Sequence, residues 1–467
     1  MNKTLFQQFL KAAQVNERVS WDYEAAKPYA EILHMIYTDV AKFKNYTLDG
    51  RFQDILVKLL KNSKYESEGY TSLLKDLEDE LNKLVVRNIM LLPINFIDKS
   101  KFNGDVKLNN YMNIFLPTKE DLIDYDDFTL RMRQEKRQKD KKGKMSDNLC
   151  KFFESQLENK LDKEHILLAK DRNFFNYPIL SIQIDNVDYK MEKESGRIAQ
   201  AVYSILRIID FREDKEPHSW GILRRDWVNP ANTYVVYYNK ENYKQTHKFN
   251  DGYYGYSFMC NFSYFLDIST FSLIENLNLF TNVLDLYIQT CFLDLRKYDS
   301  KQLKIINKWN NAISMFNTAY EFASIEKYDA CNLILCALLE SLFLENEGRN
   351  KQERLLVEIS EYLKDIYDDS KREKILSSLR NIYHFRNKIM HEGNGYEAQY
   401  MSSRRITHYQ GVYRGMRPFS YNGAVYPDDD VLDIRRALKC VVNILICNKT
   451  LEKIKDNIDF KKGDNTW

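Results

Sequence analysis

Lys371–Gly393, KREKILSSLRNIYHFRNKIMHEG, is the stretch that decides how the C-terminal part of this chain folds. Ile375, Leu379, Ile382 and Ile389 recur at helical spacing, which predicts one amphipathic helix with a single apolar stripe. Gly393 suits the left-handed position just past a helix C-terminus. Position 386 falls on the stripe and is Arg. A guanidinium on a buried stripe costs several kcal/mol unless it is paired, so Arg386 should meet a carboxylate or an anionic ligand. His391 then lies in the last turn, with Asn387 one turn before it on the same face.

Upstream, Tyr328–Gly348, YDACNLILCALLESLFLENEG, is apolar nearly all round, and Glu340 is its only charge between Ala330 and Leu344. A lone carboxylate in one buried helix and a lone guanidinium on a neighbouring stripe invite pairing. An Arg, an amide and a His at one helix end also have the chemistry to cut RNA. The imidazole takes or gives a proton, the guanidinium binds the phosphate through two parallel hydrogen bonds, and the amide holds the imidazole in one tautomer. Five residues turn an ideal helix by about 140° from Arg386 to His391, so a second copy or a distorted last turn would help aim both groups at one point. The bland alternative is a structural Arg386–Glu340 pair with a histidine that only caps the helix, where a cation is favoured. His384, Asn387 and His391 share a stripe that could hold metal, but no carboxylate cluster accompanies them.

These segments resemble the HEPN domains, and among them the Apea-like group. The likeness rests on Leu339-Glu340-Ser341-Leu342 at the end of an apolar helix, Arg354 in KQERLLVEI, and Arg386 to His391, and it covers roughly residues 300–456. It implies an all-α bundle, homodimerisation and metal-independent endoribonuclease activity that leaves a 2′,3′-cyclic phosphate. Arg386, Asn387 and His391 become the catalytic set, with Glu340 and Arg354 supporting it. Proteins of this group are tied to antiviral defence by abortive infection, as toxin-like effectors, which makes RNA, with tRNA one candidate, the expected partner and a phage-derived or nucleotide signal the expected trigger. The alternative is a HEPN module that has lost cleavage and serves RNA binding or dimerisation. The chain departs from the group in a long segment after His391. From Ala398 to Pro427 that segment has no acid but carries Arg404, Arg405, His408, Tyr409, Arg414 and Arg417, with further tyrosines between them. Arginines for phosphates and aromatics for stacking bases suit single-stranded RNA, and a surface loop whose tyrosines pack on the bundle is the plainer reading.

The remainder of the chain predicts an α+β protein, with a mixed N-terminal region before an all-α C-terminal bundle. Residues 1–90 read as helical, 91–270 as an α+β regulatory or sensor region, and 271–467 as the helical domain. LLPINFID, YMNIFLP, PILSIQI and TYVVYY read as strands, whereas Ile198, Ala201, Val202, Ile205 and Ile209 mark a helix. Five further helices are expected near 301–325, 327–346, 350–367, 371–392 and 431–456. Acids from Glu120 to Asp127 precede a basic linker, Arg131 to Lys144, in which eight of fourteen residues are Lys or Arg. With 69 basic against 67 acidic residues the net charge is only +2, so any nucleic-acid surface must be local. The seven cysteines form no C-x-x-C pair, which argues against a cysteine zinc site and a disulfide framework. A polar-broken N-terminus and the lack of any long apolar run predict a soluble cytoplasmic chain with no membrane segment, and no cofactor is expected.

Overall fold

The computed structural model describes residues 3–15, 30–94, 105–115, 178–213, 234–238, 246–249, 274–324, 327–344, 350–393 and 428–458. The acidic cluster, the basic linker 131–144 and the Arg/Tyr segment with Arg404, Arg405, His408, Tyr409, Arg414 and Arg417 lie outside them.

The chain opens with helices α1 (Lys3–Val15), α2 (Ala30–Val40), α3 (Gly50–Leu60), α4 (Lys64–Glu68) and α5 (Tyr70–Asn82). Their sequences explain their packing. Phe52, Leu56 and Leu60 on α3, and Leu73, Leu77 and Leu81 on α5, recur every four residues and are all buried. Asp49 caps α3 by accepting a hydrogen bond from the Phe52 amide at 3.0 Å. These helices enclose an apolar cluster of their own, from Phe6 to Leu81.

Strand β1 (Val85–Pro93) follows at once, then β2 (Val106–Lys107), β3 (Met112–Phe115), β4 (Ile179–Val187), β5 (Tyr234–Tyr238) and β6 (Thr246–Phe249). They form one antiparallel sheet in the order β2-β3-β4-β1-β5-β6. β1 begins six residues earlier than the apolar run at Leu91 suggests, because a polar residue inside it finds backbone acceptors for its side-chain N–H groups, although its Oδ1 has no partner among the described residues. The buried Asn88 amide donates to the carbonyls of Val86, Ile184 and Asn186 at 2.9, 3.2 and 2.9 Å.

Helix α6 (Asp188–Glu213) continues straight out of β4. Its expected stripe of Ile198, Ala201, Val202, Ile205 and Ile209 is buried, and so are Tyr203, Leu206, Ile208 and Phe211 on its other sides. Every residue from Ala201 to Ile209 is buried, so this part of the helix must have neighbours on every side. α6 packs on β1, β4 and β5 and on the helices α7 (Ile274–Cys291), α8 (Ser300–Ser324) and, after α9 (Tyr328–Phe343), α10 (Lys351–Leu363) and α11 (Asp369–Glu392), on α12 (Asp428–Ile446). The last helix is α13 (Asn448–Asn457). One apolar core therefore runs from Met90 in the sheet to Ile458. The buried Arg207 of α6 is answered within it by Asn317 and Glu321 of α8, at 2.5 and 3.1 Å.

The expected helix over 431–456 is two helices. Cys447 takes an extended backbone between them, and Thr450 Oγ1 bonds the Ile444 carbonyl across the break. The mixed α+β class is as the sequence indicates, and among the described residues no helix is long and apolar enough to cross a membrane.

Candidate active site at the end of α11

α11 starts at Asp368, whose carboxylate accepts from the Lys371 amide at 2.9 Å, and ends at Gly393, which adopts φ +68° and donates its N–H to the Lys388 carbonyl. Its buried side chains are Ile375, Leu376, Ser378, Leu379, Ile382 and Tyr383. The buried stripe stops there. Arg386, one turn on, is 33 % exposed, and Glu340 of α9 is 22 % exposed. The two do face each other, with Nη2 to Oε1 at 4.0 Å. The expectation of a fully buried pair is thus corrected: α9 ends three residues past Glu340, so water reaches both groups at the bundle edge.

Tyr383 completes this group. Its hydroxyl donates to the Cys336 carbonyl at 3.2 Å; burial, with the negative charge of Glu340 nearby, holds the phenol well above its ordinary pKa. Burial likewise pushes up the Cys336 thiol, one turn before Glu340, so both groups stay neutral. Sequence reasoning missed Tyr383. The signal was a phenol on the apolar stripe three residues before Arg386, where a buried hydroxyl needs a partner.

Asn387 is exposed and accepts from Arg386 Nη1 at 3.2 Å. It does not hold His391, as its position one turn away suggested. His391 is exposed and, among the described residues, has no hydrogen-bond or ion-pair partner. Met390 beside it is also exposed, at 58 %. α11 is regular α-helix through Glu392, so the offset of about 140° between Arg386 and His391 persists within one chain. Arg354, the other supporting residue, is exposed on α10 and makes no ion pair among the described residues. His384 is exposed against the Phe385 ring, and among the described residues no three His, Cys, Asp or Glu side chains gather where a metal ion could sit.

The end of α11 therefore carries a guanidinium facing Glu340 and Asn387 and, about 140° round the helix, a solvent-facing imidazole. No protein-family model matches this chain, and comparisons with curated proteins and with solved structures give no match.

Proposed function

We propose that the chain is a metal-independent endoribonuclease of the HEPN type, with Arg386, Asn387 and His391 as its catalytic set. The observation that carries this reading is the division of labour at the end of α11: Arg386 is oriented yet part-exposed, while His391 is exposed and, among the described residues, unpartnered.

The reaction uses the RNA's own 2′-hydroxyl. His391 takes its proton, the 2′-oxygen bonds to phosphorus, and the 5′-oxygen leaves with a proton from a second acid, yielding a 2′,3′-cyclic phosphate and a 5′-hydroxyl. Arg386 answers the charge that builds on the phosphate oxygens. The angular offset along α11 favours a homodimer in which two helix ends pool their groups, isologous pairing being the commonest assembly. The exposed Met390 offers such a contact an apolar point. The N-terminal helices and the sheet would act as the sensing or restraining part of a cytoplasmic effector in antiviral defence, responding to a phage-derived or nucleotide trigger. The second reading, a HEPN module that binds RNA or dimerises without cutting, is favoured by the Arg386–Glu340 contact, since a guanidinium already engaged must be drawn off before it meets phosphate.

Purified protein incubated with RNA in EDTA separates the two. Cleavage that persists under chelation, and that fails in His391→Ala and in Arg386→Lys, supports the ribonuclease. Lysine keeps the charge but loses the two-pronged geometry. RNA binding without any cleavage supports the inactive module.

A further inference from the structure

An open cleft of ≈ 290 Å³ lies far from α11 in sequence, between the β2–β3 turn, β4 and α7. That volume is at the lower end of small-molecule sites, roughly 300–1,000 Å³. Asn109, Asn110 and Tyr111 line it from the turn, and Gln183 and Asp185 from β4. Asp285 and Gln289 line it from α7, one helical turn apart on one face.

The turn is built to hold its shape. Asn109 Oδ1 accepts from the amides of Tyr111 and Met112 at 2.9 and 2.7 Å, and the Tyr111 carbonyl accepts from the Gln183 amide at 2.8 Å. Tyr111 then reaches across the cleft and donates its hydroxyl to Asp285.

The charges in the cleft do not balance. Asp185 is met by Arg87 Nε at 3.2 Å. Among the described residues Asp285 is met only by neutral donors, the Tyr111 hydroxyl and Gln289 Nε2 at 3.0 Å, and has no ion pair. Burial and the Asp285 charge keep the Tyr111 hydroxyl protonated, so it neutralises nothing. Gln289 also leaves Oε1 buried without a hydrogen-bond partner. Among the described residues the cleft thus presents one negative charge without an ion pair, a spare buried acceptor and no lining cation. Acceptors in excess of donors select a ligand that brings N–H groups and positive charge.

We propose that this cleft binds a small organic cation, with an ammonium or guanidinium group set against Asp285 and Gln289 and a polar remainder against the amides of Asn110 and Gln183. The same arrangement repels phosphate, so a nucleotide held by its phosphates does not belong here. The site would also be placed to report its occupancy. β4 runs directly into α6, and both α6 and α7 share the core that carries α11. The inference goes beyond the ribonuclease reading and does not depend on it, because its test reads binding and needs no RNA.

The test is titration calorimetry of the full chain with agmatine, which carries both a guanidinium and an ammonium, beside inorganic phosphate and calcium chloride. Two variants accompany the wild type. Asp285→Asn removes the charge with little change of shape, and Asn110→Lys puts a tethered ammonium at an exposed turn position that the fold does not need. Saturable agmatine binding, at least tenfold weaker in Asn110→Lys and in any folded Asp285→Asn, and no binding of phosphate, supports the proposal. Three outcomes overturn it: no saturable agmatine binding up to millimolar concentration, equal binding by wild type and Asn110→Lys, or tighter binding of calcium or phosphate than of agmatine.

Discussion

Lys190 offers a quantitative handle on how the N-terminal helices dock. It sits on the first turn of α6, is nearly fully buried, donates to the Lys44 carbonyl, and lies 5.0 Å from the Tyr46 ring and 5.4 Å from that of Phe292. Burial pulls its pKa down from 10.5 to about 8, with Glu194 and the Cys291 side opposing and Lys44 and Arg197 adding to the fall. A lysine whose folded pKa is depressed destabilises the fold while both states are protonated. That penalty is relieved as pH rises from the folded value toward the unfolded one. With one pKa unit equal to about 1.36 kcal/mol, the stability gained between pH of about 7 and 8.5 is about 1 kcal/mol. Cys291 has the opposite sign, since burial pushes its thiol up to about 12, and burial raises the thiols of Cys331, Cys336 and Cys440 as well; that loss sets in as pH approaches the ordinary thiol range and is shared by wild type and variant. Urea midpoints of wild type and Lys190→Met, read at the two pH values with unchanged slopes, isolate the effect. The wild-type midpoint should rise relative to that of Lys190→Met between the two pH values. Parallel behaviour of the two proteins would refute the depressed lysine.

Glu340→Gln should cost about 1 kcal/mol, since a part-exposed pair at 4.0 Å is screened by water; a loss of about 3 kcal/mol or more in urea would mark the pair as dry. Gly393→Ala should destabilise by about 1 kcal/mol, because alanine is strained at φ +68° while no described residue lies within 4 Å of the new methyl, and an unchanged melting temperature would show that the helix end relaxes freely. If two chains pool their helix ends, mixing inactive Arg386→Lys with inactive His391→Ala should restore part of the RNA cleavage, since one heterodimer then keeps one Arg386 and one His391 that face each other. A mixture that stays inactive, with mixed dimers confirmed by mass, contradicts a shared site.

The parts of the fold that announced themselves did so through periodicity. The i, i+4 leucines of α5 and the stripe on α6 needed only a 3.6-residue repeat to be read, and Gly393 marked the end of α11 by its own stereochemistry. What stayed hidden depended on partners distant in sequence. Asn88 looks like a loop residue until two carbonyls of β4, nearly a hundred positions away, are brought to its amide. Arg386 lay on the correct stripe, yet its exposure is set by where α9 ends and by what packs beyond Tyr383, neither of which the spacing encodes. Tyr383 and Glu340 meet only because α9 and α11 pack together, and the cleft at Asp285 needs a turn, a strand and a helix from three separate stretches.

The most direct measurement of the ribonuclease reading is the chemistry of RNA ends in cells induced to make wild-type protein beside His391→Ala. New 2′,3′-cyclic phosphate ends, together with growth arrest, should appear with the wild type alone, while the two proteins melt alike because His391 lies exposed at a helix end. Loss of general acid-base help lowers rates roughly 10²–10⁴-fold, so His391→Ala samples should match uninduced cells. Equal cyclic-phosphate ends in both samples, or none in either from folded protein in arrested cells, would contradict it.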